Sequence, residues 1–173
     1  SRAERFFPDS KDVRDALFQV EEKRRLARIR VATEAAAAAE AREDWTDAYA
    51  RYREVLQIDP HIRMATEGSK RTARRIRLQR QMQHYLDRPE SLMSEEGREK
   101  ATLTLVEARD LPDAGERWNA LLSRFEQAVT VATTPVRAVL QSDGETHVDV
   151  YHVGRFAPFH SKQLSLLPGS YTI

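Results

Sequence analysis

Apolar positions recur at helical spacing over the first three-quarters of the chain and at strand spacing over the last quarter. Val13, Leu17 and Val20 fall at i, i+4 and i+7, one face of a helix. No Gly or Pro occurs between Lys11 and Asp59, so one helix is expected from about Lys11 to Arg42, with a break near Arg28 as the alternative. Asp9 or Ser10 can cap its first turn, and Asp12 suits the positive end of the helix dipole. Ala32, Ala35, Ala36 and Ala39 form a face of small side chains on which a second helix can pack closely. A solvated, low-complexity helix is the competing reading of that alanine run.

After the polar turn Glu43-Asp44, the positions Trp45, Ala48, Tyr52, Val55 and Leu56 mark a second helix, with Thr46 as a cap and Pro60 as its terminator. A third helix is expected from about His61 to Tyr85 or Asp87, and Gly68 weakens it locally by about 1 kcal/mol relative to Ala. Arg88-Pro89-Glu90-Ser91 reads as a loop. Ser94 then caps a helix that reaches Arg109, with Glu95 and Glu96 in its first turn. The turn Asp110-Leu111-Pro112-Asp113-Ala114-Gly115 leads into a last helix over about 114–132, striped by Trp118, Leu121, Leu122, Phe125 and Val129. Because the turn is short, these two helices pair as a hairpin. The expected core residues are Trp45, Ala48, Tyr52, Leu56, Trp118, Leu121, Leu122 and Phe125.

From Pro135 the period becomes two. Val136, Ala138 and Leu140 alternate with their neighbours, Ser142-Asp143-Gly144-Glu145 is a turn, and Thr146–Val153 alternates again. Gly154–Phe159 reads as a loop, and Lys162–Leu166 and Gly169–Ile173 as two further strands around Leu167-Pro168-Gly169. The fold class is therefore mainly α, with long antiparallel helical hairpins and a small C-terminal antiparallel β module. The expected domains are 1–134 and 135–173. The aromatic helix of Trp118 and Phe125 is the expected cover for one face of the strands.

Two stretches resemble known families. Residues 29–62, with Ala36, Trp45, Ala48, Tyr52 and Asp59-Pro60, resemble a tetratricopeptide repeat, in which Glu43 stands where the family has its turn glycine. Pro135-Val136, Ser142-Asp143-Gly144, Gly154 and Leu164–Ile173 resemble part of a PEGA domain, a small β-sandwich of surface and extracytoplasmic proteins. That resemblance implies a closing strand after Ile173, and a periplasmic or otherwise extracytoplasmic, membrane-anchored bacterial protein. The opening Ser1-Arg2-Ala3 and a last residue inside a strand pattern suggest a fragment of a longer chain.

Composition narrows the chemistry. Lys+Arg 28 against Asp+Glu 27 leaves a charge of +1, so no global attraction to nucleic acid or anionic membrane is written into the total. Without cysteine there is no disulfide, thiolate nucleophile or Cys-ligated metal. No phosphate-binding glycine loop, nucleophile elbow or His-Glu-x-x-His motif occurs. His147, Asp149 and His160 are the best metal-ligand candidates, and a solvated polar strand face accounts for them more simply. The chain is expected to be non-catalytic and to need no cofactor.

The expected role is a protein–protein interaction scaffold or adaptor, partnered by another protein or by self-association through the long helices. Arg71, Arg74, Arg75, Ile76, Leu78, Met82 and Tyr85, together with Leu86, are the candidate partner-binding residues; the alternative for the apolar members is packing on the Trp118 hairpin. A second reading makes the basic run 70–80 a nucleic-acid contact. A third makes the helices oligomeric spacers.

Overall fold

The structure is a computed structural model that describes residues 11–112 and 115–173. The cap expected at Asp9 or Ser10, and the turn residues Asp113 and Ala114, lie outside them. The described chain folds as helices α1 (Lys11–Ala41), α2 (Trp45–Ile58), α3 (Arg63–Asp87), α4 (Glu95–Arg109) and α5 (Glu116–Thr133), with a 3₁₀ turn over Pro89–Met93. Strands β1 (Val136–Gln141), β2 (Val148–Val150), β3 (Gly154–Phe156) and β4 (Ser161–Leu166) come after α5. The protein is thus mainly α with a small C-terminal antiparallel β module. It divides into two compact units, one ending at Arg77 and one running from Leu78 to Ile173.

In the first unit α1 is unbroken, and its small-residue face behaves as the alanine pattern requires. Ala32, Ala36 and Ala39 are buried and Ala35 is half-buried, and Ala32 and Ala36 form one cluster with Tyr52, Val55 and Ala65. The turn into α2 is a Schellman motif: Asp44 N–H donates to the Ala39 carbonyl, and Glu43 N–H to that of Glu40. Glu43 is held at φ 57, a left-handed conformation that costs a residue with a Cβ roughly 1 kcal/mol or more. Glu43→Gly is therefore expected to stabilise the chain by about 1 kcal/mol, read as a raised denaturation midpoint. A lowered midpoint would show that the side chain's own contacts outweigh the backbone relief.

The cap of α2 differs from the expectation. Asp44, not Thr46, accepts the Asp47 N–H at 3.0 Å, because the Schellman turn delivers the chain one residue before Trp45 with that carboxylate already over the open amides. At the other end Asp59 accepts from the His61 N–H and from Arg25, and these two contacts hold its carboxyl below the usual range. Gly68 does not interrupt α3. It sits against the Tyr52 ring, where a side chain has no room.

In the second unit Leu78, Met82, Leu92, Ala101, Leu105, Trp118, Phe125 and Val129 are buried. Leu121 and Leu122 are only half-buried. Tyr85 stacks on Phe125 with centroids 5.8 Å apart. Arg109 pairs with Glu126, tying α4 to α5. The expected loop at Arg88–Ser91 is instead the 3₁₀ turn, opened by Pro89 and succeeded by Ser94, whose Oγ accepts the Gly97 N–H.

The β module departs further from the expectation set by its period. β1 pairs with β4, Val136 opposite Leu166 through Gln141 opposite Ser161, and β2 pairs with β3. No hairpin joins β1 to β2, because the Asp143 carboxylate captures the amides of Glu145 and Thr146 and the Thr146 hydroxyl, turning the chain away. β2 stops at Val150, where His152 at φ 62 makes the tight turn to β3, so Gly154–Phe156 is a strand rather than a loop. Gly169–Ile173 is not a strand, although the Thr172 carbonyl accepts the Tyr151 N–H.

Those bonds hold the Asp143 carboxyl down at about 2, the Thr146 hydroxyl contributing most. A depressed carboxyl stabilises the turn at pH above its ordinary value of 3.8, and that support is lost as pH falls through about 2. An NMR titration of the Asp143 carboxyl is expected to give a midpoint near 2. A midpoint near 3.8 would mean that the turn is not formed in solution.

Candidate functional site

The basic run that suggested a contact surface is largely spent inside the protein. Arg71 bridges to Glu40 at 2.8 Å and lies 3.4 Å from the Tyr52 hydroxyl. Burial works against its charge, but the bond to Glu40 still leaves its pKa raised. Burial likewise pushes the Tyr52 phenol up. Arg75 is 4% exposed, its guanidinium stacked 4.5 Å from the Trp45 ring centroid, a cation–π contact in a desolvated place. Arg74 and Arg77 are also engaged within the chain.

Of the apolar candidates, Leu78 and Met82 are fully buried and so cannot anchor a partner, while Ile76 and Tyr85 are half-buried. Leu78, Met82 and Tyr85 share one side of α3 at i, i+4 and i+7, and the burial of Leu78 and Met82 makes that side the core-facing one; Ile76 lies on another.

Of the candidate positions, Leu86 opens onto a cavity. In the second unit it lines an apolar groove of about 360 Å³ together with Pro89, Leu92 and Met93 of the 3₁₀ turn. α5 contributes Ala128, Val131 and Ala132 to the lining, and Pro168 is also part of it. Arg124 and Gln127, one helical turn back on α5, supply the polar rim. Among the described residues Arg124 has no ion-pair or hydrogen-bond partner, so its charge is available to a ligand.

The groove is built by the chain's own polar contacts. Arg98 Nη1 donates to the carbonyls of Met93 at 2.8 Å and Leu92 at 3.3 Å, and reaches that of Pro168 at 3.5 Å. One guanidinium thereby ties the 3₁₀ turn to the segment after β4, both of which supply lining residues of the groove. It acts with the Ser94 cap and the tight Gly97 contact, which fix the 3₁₀ turn on the first turn of α4.

Sequence reasoning missed this groove apart from Leu86. Its signal is a second α5 stripe, Arg124, Ala128 and Val131 at i, i+4 and i+7, beside the Trp118–Val129 stripe. Its other wall depends on a 3₁₀ turn that reads as a loop.

The lining holds no Ser, His, Asp or Glu, so it offers neither a nucleophile nor an acid–base pair. Among the described residues no group of three His, Asp or Glu side chains is placed to hold a metal, His147, Asp149 and His160 included. No helix among them is long and apolar enough to cross a membrane. Comparison with family models, curated proteins and solved structures finds no match for this chain.

Proposed function

We propose that the protein is a non-catalytic interaction scaffold whose second unit binds a protein segment in the groove between the 3₁₀ turn and α5. The observation that carries this reading is the pairing of an apolar channel with one uncommitted cation, Arg124. The matching segment presents a bulky aliphatic or aromatic side chain to Leu92, Met93 and Val131, with a carboxylate toward Arg124. Burial of one such side chain is worth about 1.5–3 kcal/mol, which several neighbours would need to supplement for micromolar binding.

The tetratricopeptide resemblance supports a binding role for the first unit too: the left-handed backbone at Glu43 and the close Tyr52–Gly68 contact suit a helical hairpin made for stacking. Placement of the protein outside the cytoplasm, anchored to a bacterial membrane through a segment beyond this chain, rests on the PEGA-like strands alone. The nucleic-acid reading is disfavoured because Arg71, Arg74, Arg75 and Arg77 are already engaged.

Selection of a random peptide library on the intact chain tests the proposal. Recovered peptides are expected to share a bulky apolar residue near an acidic one, and to lose at least tenfold in affinity against Ala128→Arg, which fills the channel with charge. Peptides that ignore that substitution, or tight duplex-DNA binding with a steep salt dependence, would overturn it.

A further inference from the structure

A second cavity, of about 520 Å³, lies beside the groove in the unit that begins at Leu78. Residues adjacent in sequence line the two: Ala132 and Pro168 line the groove, and Thr133 and Leu167 the second cavity. Arg98 lines the second cavity and donates to the carbonyls of Leu92, Met93 and Pro168, all three of which line the groove. The two cavities are neighbours held by the same contacts.

Their charges are opposite. The groove carries the cation Arg124, whereas the second cavity carries two carboxylates, Glu95 and Glu99, about one turn apart on α4. Among the described residues neither carboxylate has an ion-pair or hydrogen-bond partner. Glu96, which is not in the lining, is paired with Lys100. The hydroxyls of Thr102 and Thr133 donate to the Arg98 and Val129 carbonyls, both at 2.8 Å, so their oxygens are left to accept. Arg98 is the cation of this lining, and its Nη1 is taken by the three carbonyls, so the two carboxylates outweigh it. Leu103, 64% exposed, and Leu167 supply apolar surface.

Acceptor oxygens and uncommitted carboxylates beside exposed leucine match an ammonium or guanidinium on an aliphatic stem. The stem covers the leucines and the head meets Glu95 and Glu99. An anion would meet like charge there, and a wholly apolar side chain would cover the carboxylates without pairing them.

We infer that this cavity binds a lysine or arginine of the same partner segment whose apolar and acidic side chains enter the groove. The inference rests on that reading of the groove and adds to it the partner's charge pattern. The segment carries a basic residue at a constant distance along the chain from its acidic and apolar pair, and the order of the charges fixes the direction in which it lies across the two cavities.

Peptides selected on the intact chain are expected to carry Lys or Arg at a constant spacing from the apolar and acidic residues. Glu99→Lys, at an exposed position, is expected to leave the helical circular-dichroism signal unchanged and to weaken these peptides about fivefold or more. Replacing the peptide's basic residue by Ala is expected to weaken binding to the parent chain, and the two changes are expected to be strongly non-additive in a double-mutant cycle. Selection repeated on Glu99→Lys is expected to return Asp or Glu in place of the basic residue. Peptides weakened by Ala128→Arg but indifferent to Glu99→Lys, or lacking a basic residue at a constant spacing, would overturn this inference and leave the groove standing. Peptides indifferent to both substitutions would overturn the groove reading, and this inference with it.

Discussion

Gly97→Ala is expected to destabilise the unit that begins at Leu78 by about 3 kcal/mol, although alanine is the better helix former. Helix propensity alone argues the other way, favouring alanine by about 1 kcal/mol in a helix interior. The close contact decides the sign. A Cβ at Gly97 would lie 1.8 Å from the Ser91 carbonyl oxygen and 2.9 Å from Ser94 Oγ. The Ser91 oxygen belongs to the main chain and cannot swing aside as the end of a side chain would. Relief requires the whole Pro89–Met93 turn to shift, which carries Leu92 out of the core and Met93 off the groove wall. Chemical denaturation is expected to show the loss, and selected peptides are expected to bind more weakly. A Gly97→Ala protein as stable as the parent would mean that the turn does not rest on α4.

Gly68→Ala is the parallel case in the first unit, with an expected cost of about 2 kcal/mol. Its Cβ would come within 2.5–2.7 Å of three Tyr52 ring atoms. Tyr52 is buried among Ala32, Ala36, Val55 and Ala65, and its hydroxyl is within reach of Arg71, so the ring has little freedom to retreat. A double-mutant cycle isolates the cause. Paired with Tyr52→Leu, which removes the ring, the added methyl is expected to cost little, giving a coupling of at least 1 kcal/mol. Simple additivity of the two changes would contradict the contact.

Much of the helical fold is legible in the sequence because its signals are local. The Val13–Val20 face, the alanine face, the Trp45–Leu56 spacing and the Ser94 cap all lie within a few turns of sequence, and the helices begin and end within about two residues of where those signals put them. The strands are less legible, since pairing is a choice between distant segments. Period two says which residues alternate, but not that β1 chooses β4 over β2, a choice made by the Asp143 carboxylate and by the left-handed His152.

Gly68 misleads for the same reason. A glycine in a helix looks like a weakness until the ring it accommodates, sixteen residues earlier, is in place. Arg75, Leu78 and Met82 show the corresponding limit for surface prediction. An arginine-rich helix looks solvent-facing, yet a guanidinium over an indole is a core contact. The candidate groove is least legible, because it joins residues 86–93, 124–132 and 168 through the three carbonyls that Arg98 collects.

The binding role is tested most directly by amide chemical-shift mapping of the isotope-labelled chain during titration with a library-selected peptide. Shifts are expected to gather on Leu86, Leu92, Met93, Arg124, Ala128 and Val131, and to vanish in Ala128→Arg. Shifts gathered instead on Lys70–Arg80, or spread evenly with no saturating site, would contradict the assignment of the groove as the place where this protein takes hold of another.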